Sequence, residues 1–502
     1  MDYQLLAILL YVATLLFIGV LASRRTRSMA DYFAGGRRQG FWAASFSARA
    51  TGESAWLLLG LTGLGAAEGI KGFWVVLGEV LGVAVAWLLL SDRFKSLTLR
   101  FDSLTVPDYL ESRFGDDAGH TLRALSAGTL LFFVPIYVSA QIHSTGEAFN
   151  FFLDWNYYAG ALFGFAVVLL YITRGGFIAV VWSDVFQGLL MVCGLVLLPL
   201  VGVWYLGGVG QVIDALGQAY PNHLDFLGGG GWTLINVASI IGLLGIGLGF
   251  MGSPQVFVRF IALRSRRDIP KGAFVAIVWT LLADSGAVLV GVVGRAVLSG
   301  DLGAGGQEVL PELVEFLMHP FVAGIYIAIV LSAIMSTIDS LLVVASSAAV
   351  RDYYQKIFNP SLPDNKLVGM SRNLTVVLAF AALAVALAIA LLTGRQPIFW
   401  FVIFGWSGIA ATFCPTIILS LFWSGLTARG AAAAMVAGFL SIPFFKFVAP
   451  LLPVVGPYFN LAEEMAPSFA VGFAVAFVVS KADPEGQAKL KGILSANLAD
   501  EP

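Results

Sequence analysis

Leu331-Ser-Ala-Ile-Met-Ser-Thr-Ile-Asp-Ser-Leu-Leu342 is the stretch on which the reading of this chain turns. It sets adjacent hydroxyls (Ser336, Thr337), a carboxylate (Asp339) and a further hydroxyl (Ser340) inside a segment otherwise apolar enough for a membrane helix. A carboxylate in a spanning helix costs about 2.5–3.5 kcal/mol on insertion scales, so it usually faces a bundle interior and marks an ion or substrate path. Oxygen ligands without a Cys/His cluster suit a hard cation better than a transition metal. At i, i+3 and i+4, Ser336, Asp339 and Ser340 share one helical face. The first expectation is therefore a cation site inside a bundle of helices.

Composition supports the membrane setting. Of 502 residues, 58% are hydrophobic and 12% charged, and mean hydropathy is +0.86. Soluble domains carry roughly 25% charged residues. The net charge of −2 gives no argument for nucleic acid as a partner; the partner that composition implies is the lipid bilayer. Cys193 and Cys414 both lie in apolar runs and read as packing residues. The first apolar segment has neither a basic stretch before it nor a small-residue cleavage signal after it, so a retained span is expected.

Apolar stretches near the ~20-residue crossing length fall at about 3–23, 41–67, 72–91, 122–148, 157–174, 181–206 and 233–258. Six more follow at about 273–297, 320–349, 371–393, 397–423, 430–450 and 467–480, which makes about 13 transmembrane helices. Connections alternate in charge. Arg24, Arg25, Arg27, Arg37 and Arg38 follow the first span, Arg93, Lys95, Arg100 and Arg113 the third, and Arg259, Arg264, Arg266, Arg267 and Lys271 the seventh. Loops 207–232 and 298–319 hold no Lys or Arg. The positive-inside rule then puts the N-terminus outside and the C-terminus, with Lys481, Lys489 and Lys491, in the cytoplasm.

Two spans look interrupted. Ser45-Phe-Ser-Ala-Arg-Ala-Thr-Gly-Glu-Ser-Ala-Trp56 is too polar for a lipid-facing helix, and Gly242-Leu-Leu-Gly-Ile-Gly-Leu-Gly-Phe-Met-Gly-Ser-Pro254 weakens helix continuity. They lie five spans apart, as in transporters built from inverted repeats, whose sites sit at paired discontinuous helices. Glycines placed only for close helix packing are the competing reading for the second. Arg49 and Glu53, spaced i,i+4, can pair with each other; Asp339 is a second candidate partner for Arg49. Asp184, where the sixth span begins, is either an ion ligand or a structural partner of Arg49 or of a neighbouring amide.

At these residues the chain resembles the sodium/solute symporter family, especially its bacterial sodium/proline branch. The resemblance runs through Asp31-Tyr-Phe-Ala-Gly-Gly-Arg37, Ser54-Ala-Trp-Leu-Leu-Leu-Gly60 and Gly175-Gly-Phe-Ile-Ala-Val-Val-Trp-Ser-Asp184. It continues in Gly247-Leu-Gly-Phe-Met-Gly-Ser-Pro254 with Arg259-Phe260, and in Ala333-Ile-Met-Ser-Thr337. The fold it implies is all-α and membrane-integral, a LeuT-type five-plus-five inverted repeat with extra helices. The corresponding units are 1–40 (first helix and cytoplasmic loop), 41–206 (repeat one), 207–428 (repeat two), 429–481 (two peripheral helices) and 482–502 (cytoplasmic tail).

The resemblance also implies function: a sodium-coupled symporter in a bacterial inner membrane, not an enzyme, importing proline or a related amino acid. Sodium, the coupling ion, is expected at the carbonyls of Ala50, Glu53 and Ala333 and the hydroxyls of Ser336 and Thr337. Asp184, Asp339 and Ser340, with Ser336, correspond to a second ion site in some members, or to a proton site. Solute-binding positions that the resemblance points to are Gly52, Ser54, Trp56, Tyr137, Gln141, Ile246, Phe250 and Pro254. The chain departs from the branch in having Gly52 where an acid is usual, Glu53 where an uncharged residue is usual, and Ile246 in place of a tryptophan. These departures leave proton coupling, another small solute such as a monocarboxylate, and a non-transporting sensor open.

Overall fold

A backbone immersed in hydrocarbon must satisfy its own hydrogen bonds, so apolar runs of crossing length become helices. The computed structural model describes residues 3–24, 29–115, 120–393 and 397–489. Arg25, Arg27 and the end of the tail from 490, with Lys491, lie outside the described residues. Among the described residues every named element is helical, and the one β-bridge joins Gln39 to Leu263. Ten helices among the described residues are long and apolar enough to cross a membrane, or eleven if the bent pair Gly456–Ala462 and Met465–Lys481 is one span. The chain is an all-α, multi-pass membrane protein.

That count is smaller than the thirteen apolar stretches for local reasons. Phe41–Gly52 has only 12 residues before its helix breaks. Trp56–Arg100 reads as one apolar run, although a 3-10 turn at Gly69–Gly72 divides it. The helix Tyr157–Leu206 is likewise interrupted at Gly176 (φ 57°, ψ −162°), a left-handed position that glycine adopts without a Cβ penalty.

Both expected interruptions are present. The first broken helix leaves helical geometry at Glu53 (φ −84°, ψ 152°) and resumes over Trp56–Leu61 and Thr62–Glu68. The second runs Leu234–Gly245, tightens to a 3-10 segment at Ile246–Met251, and restarts at Pro254. Proline suits a first helical turn because its missing N–H would have no intrahelical partner there. The two broken helices run antiparallel, giving an inverted-repeat-like pairing. Where the first begins, the Gln39 amide donates to the Ala262 carbonyl (3.0 Å), and the Gln39 carbonyl accepts from Arg264 N–H (2.9 Å), at the end of the second.

The glycines of the second break serve packing as well. A Cβ on Gly247 would run into the Gly78 carbonyl, and one on Gly242 into the Leu461 carbonyl. Close approach and helix interruption thus coexist in one run. Pro320–Ser347, which carries the opening stretch, is buried along nearly its whole length. Tyr3–Ser23 packs along it, with the Tyr11 hydroxyl 3.6 Å from Met335 Sδ.

Candidate ion and solute site

The oxygens expected to hold sodium converge. Ser336 Oγ donates to the Ala50 carbonyl at 2.8 Å and to the Ala333 carbonyl at 3.1 Å. Thr337 Oγ1 donates to the Glu53 carbonyl at 2.6 Å, with the Ala333 and Thr51 carbonyls also within reach at 3.1 Å and 3.4 Å. The carbonyls of Ala50 and Thr51 are available because the helix ends at Gly52: the last carbonyls of a helix have no intrahelical donor. The helix break and the Pro320–Ser347 helix are thereby joined by a fully buried group of neutral oxygens, which is the donor chemistry of a hard cation. Thr51 belongs to this group and was not singled out from sequence.

Asp184 and Ser340 come together around a different partner from the one expected. Arg259 forms the ion pair with Asp184 (3.1 Å), and both side chains are 0% exposed. The same guanidinium donates to Thr51 Oγ1 (2.7 Å), Ser340 Oγ (2.6 Å), Ser47 Oγ (3.0 Å) and the Gln255 carbonyl (2.5 Å). Ser47 Oγ donates to Asp184 at 2.5 Å. Two expectations are corrected. Arg259 is a core residue rather than a loop charge, and Asp184 pairs with it rather than with Arg49. Asp339 stands beside this group and accepts from Ser340 Oγ at 3.3 Å.

Arg49 instead pairs with Glu53, as its i,i+4 spacing allows, and lies 3.5 Å from Glu79; no pair with Asp339 forms. Its guanidinium sits 4.3 Å from the centre of the Phe250 ring and 5.5 Å from Trp279. Glu79 and Asp284 complete this cluster, their carboxylate oxygens within 4.8 Å of one another and of Glu53. Neither was named from sequence. The signal was available, since each is a lone acid in an otherwise apolar span.

The expected solute-binding residues mostly share one neighbourhood. Phe250 lies directly against Gly52, occupying the space that any side chain at 52 would need. Its ring is 5.0 Å from that of Trp406. Trp406 Nε1 donates to the Ile246 carbonyl at 3.0 Å, so an indole from the Ile398–Phe422 helix stands where the chain lacks one at 246. Gln141 accepts from the Ala55 amide at 3.1 Å, inside the break. Trp56 Nε1 reaches the Gly52 carbonyl at 3.5 Å. Ser54 and Tyr137 are buried beside them, Tyr137 packed on Gly405. Pro254 stands apart, lining a small cavity with Thr105, Val343 and Ala348.

Two antiparallel broken helices around a buried oxygen cluster define a multi-pass membrane transporter. The family follows from the sequence as a whole: the model of the sodium:solute symporter family matches residues 32–438, and the chain belongs to that family. Among its relatives, the high-affinity proline transporter PutP of Bacillus subtilis is 34% identical over 469 residues, covering 93% of this chain and 95% of that protein. The sodium/proline symporter of Escherichia coli is 33% identical over 450 residues, covering 88% of each. A solved structure of a Na+-coupled sialic acid symporter, outward-open and substrate-bound, shares the fold with a TM-score of 0.78. Its sequence is 19% identical, and the match covers 95% of this chain and 97% of that one.

Proposed function

We propose that the chain is a sodium-coupled secondary transporter that imports a small solute, proline or a related amino acid, by alternating access. The observation that carries the reading is the hydroxyl pair Ser336 and Thr337, joined to the carbonyls of Ala50, Thr51, Glu53 and Ala333. In this reading sodium replaces the hydroxyl hydrogens as the positive partner of those carbonyls, with Ala50, Glu53, Ala333, Ser336 and Thr337 as ligands. Neutral ligands bind the ion without holding it too tightly for release. Because the ligands come from two elements, bound sodium ties the break to the Pro320–Ser347 helix and favours one arrangement of the repeats. Solute that prefers the same arrangement binds more tightly in the presence of sodium, and the reverse holds by linkage.

The relatives named as proline transporters support the choice of solute. So does the site itself: Phe250 and Trp406 offer apolar walls, with Gln141, Tyr137, Ser54 and Trp56 as the polar and edge groups. Arg259 already supplies positive charge at Asp184 and Ser340. In our reading this group is therefore a tether between the broken helices and their surroundings, without a second sodium.

The architecture we assign has thirteen spans in a LeuT-type arrangement, with repeats at 41–206 and 207–428 and two peripheral helices at 429–481. The N-terminus lies outside and the C-terminus is cytoplasmic, in a bacterial inner membrane. The test is uptake into proteoliposomes under imposed sodium, lithium or proton gradients. Proline uptake that rises with an inward sodium gradient and competes with related amino acids is expected. Uptake indifferent to every sodium gradient refutes the coupling.

A further inference from the structure

Three carboxylates and one guanidinium share a closed space beside the first break, and their charges do not balance. Glu53 stands at the break, Glu79 on Phe73–Val85 and Asp284 on Ile269–Val297; all three are 0% exposed. One oxygen from each lies within 4.8 Å of the other two. Arg49 is the positive partner of Glu53 and Glu79. Asp284, the third acid, is drawn to the same guanidinium, so one cation is shared among three carboxylates. Among the described residues neither of its oxygens receives a hydrogen bond, yet one of them faces the other two acids. The rings of Phe250 and Trp279 also lie against Arg49.

With its carboxylates ionised, the group carries three negative charges against one positive. Unpaired buried charge is costly in any apolar interior and more so at membrane depth, so the group calls for a positive ligand. Spacing permits a single shared ligand. Two oxygens flanking a hard cation at about 2.3–2.6 Å are at most about 4.6–5.2 Å apart, and one oxygen from each of these carboxylates lies within 4.8 Å of the others, close enough to share one such ion. All the donors are oxygen, which disfavours a soft transition metal.

We propose that Glu53, Glu79 and Asp284 form a binding site for a positive ligand, either a hard inorganic cation or an ammonium group of the solute. The site is additional to the central oxygen cluster and does not depend on the reading given to that cluster. Arg49 occupies part of it and acts as a built-in competitor. When the ligand enters, Arg49 yields Glu53 or Glu79 and retreats over Phe250, whose ring face offers it a cation–π contact. Arg49 and the central carbonyls sit on the same broken helix, so filling this site acts on the element that also frames the central cluster.

The experiment uses the purified full-length protein in nanodiscs. Its unfolding midpoint is followed against calcium, magnesium or sodium chloride, with choline chloride holding ionic strength constant, and separately against proline and putrescine. Wild type, Asp284→Asn, Glu79→Gln and Thr337→Ala are compared. At least one probe should raise the wild-type midpoint saturably and still do so in Thr337→Ala. Asp284→Asn should raise its half-saturating concentration at least about tenfold, as loss of a charged ligand requires. Without ligand, Asp284→Asn should unfold at a higher temperature than wild type, because the uncompensated charge is gone; this also shows that the variant folds. A response to a metal salt assigns an inorganic cation, and a response to proline or putrescine an ammonium. Unchanged curves in both Asp284→Asn and Glu79→Gln overturn the proposal, as does a midpoint that moves only with acidification. A sodium response lost in Thr337→Ala but kept in Asp284→Asn belongs to the central cluster.

Discussion

Removing the Thr337 hydroxyl separates the central cluster from every other polar group in the bundle. Thr337→Ala deletes an oxygen 2.6 Å from the Glu53 carbonyl and 3.1 Å from the Ala333 carbonyl. An interaction with a charged partner contributes about 1.5–3 kcal/mol. At about 1.4 kcal/mol per decade, that is a roughly 10- to 150-fold rise in the sodium concentration giving half-maximal uptake. The ion-free protein is weakened as well, because the buried Glu53 carbonyl loses its donor, at a cost of about 1–3 kcal/mol. Thr337→Ser keeps the oxygen and should behave nearly as wild type. The assay is uptake of radiolabelled proline into proteoliposomes over a sodium series at constant ionic strength. A sodium-dependent thermal shift on the same preparation serves as the second readout. A folded Thr337→Ala protein with unchanged sodium dependence would refute the ligand assignment. So would a Thr337→Ser variant impaired as severely as the alanine, since packing rather than the oxygen would then be responsible.

Arg259→Met strands Asp184 as a buried unpaired carboxylate, and loss of about 3–5 kcal/mol of stability is expected; adding Asp184→Asn should recover part of it in denaturation measurements. Gly52→Ala places a methyl against the Phe250 ring, so overpacking of about 1–3 kcal/mol is expected, together with weaker solute uptake; wild-type KM and stability would exclude that contact. Trp406→Phe keeps a ring beside Phe250 but removes the donor to Ile246, and should raise the KM for solute about two- to tenfold with little change in sodium dependence. Asp108, on the Val106–Phe114 helix, is buried, which raises its carboxyl pKa, but the Arg351 and Arg123 guanidiniums outweigh burial and hold it below its ordinary value. A depressed folded value means its contribution to stability is present above the unfolded pKa of about 3.9 and is lost as pH falls below that. Asp108→Asn should flatten the acid limb of a stability–pH curve, and an unaltered limb would show that the group does not matter.

Much of the central site was legible because its chemistry is local. Hydroxyls in an apolar helix and a polar interruption in another are visible as exceptions to their surroundings, and a polar group in a membrane span needs a partner. The same reasoning went wrong where partner choice depends on depth and rotation. Asp184 was matched with Arg49, and only the packing of Pro254–Ala262 against the first broken helix brings Arg259 to it. Arg259 looked like a loop charge because it follows an apolar run, yet that helix continues to Ala262 and keeps the guanidinium inside. Trp406 was invisible for a different reason. An indole in an apolar helix is ordinary, and nothing local says that its N–H meets the Ile246 carbonyl.

The amino-acid sequence alone determined that the chain crosses a membrane repeatedly, where its helices break, and which face of the Pro320–Ser347 helix is polar. Those are consequences of transfer free energy and helix propensity, which act residue by residue. Tertiary structure alone decided which charges neutralise one another. Coulomb energy depends on distances between elements far apart in the chain, and a rotation of one helix exchanges one partner for another. That is why Arg49 sits with Glu53 and Glu79 while Arg259 takes Asp184, and why Asp284 has to share Arg49 with the two glutamates.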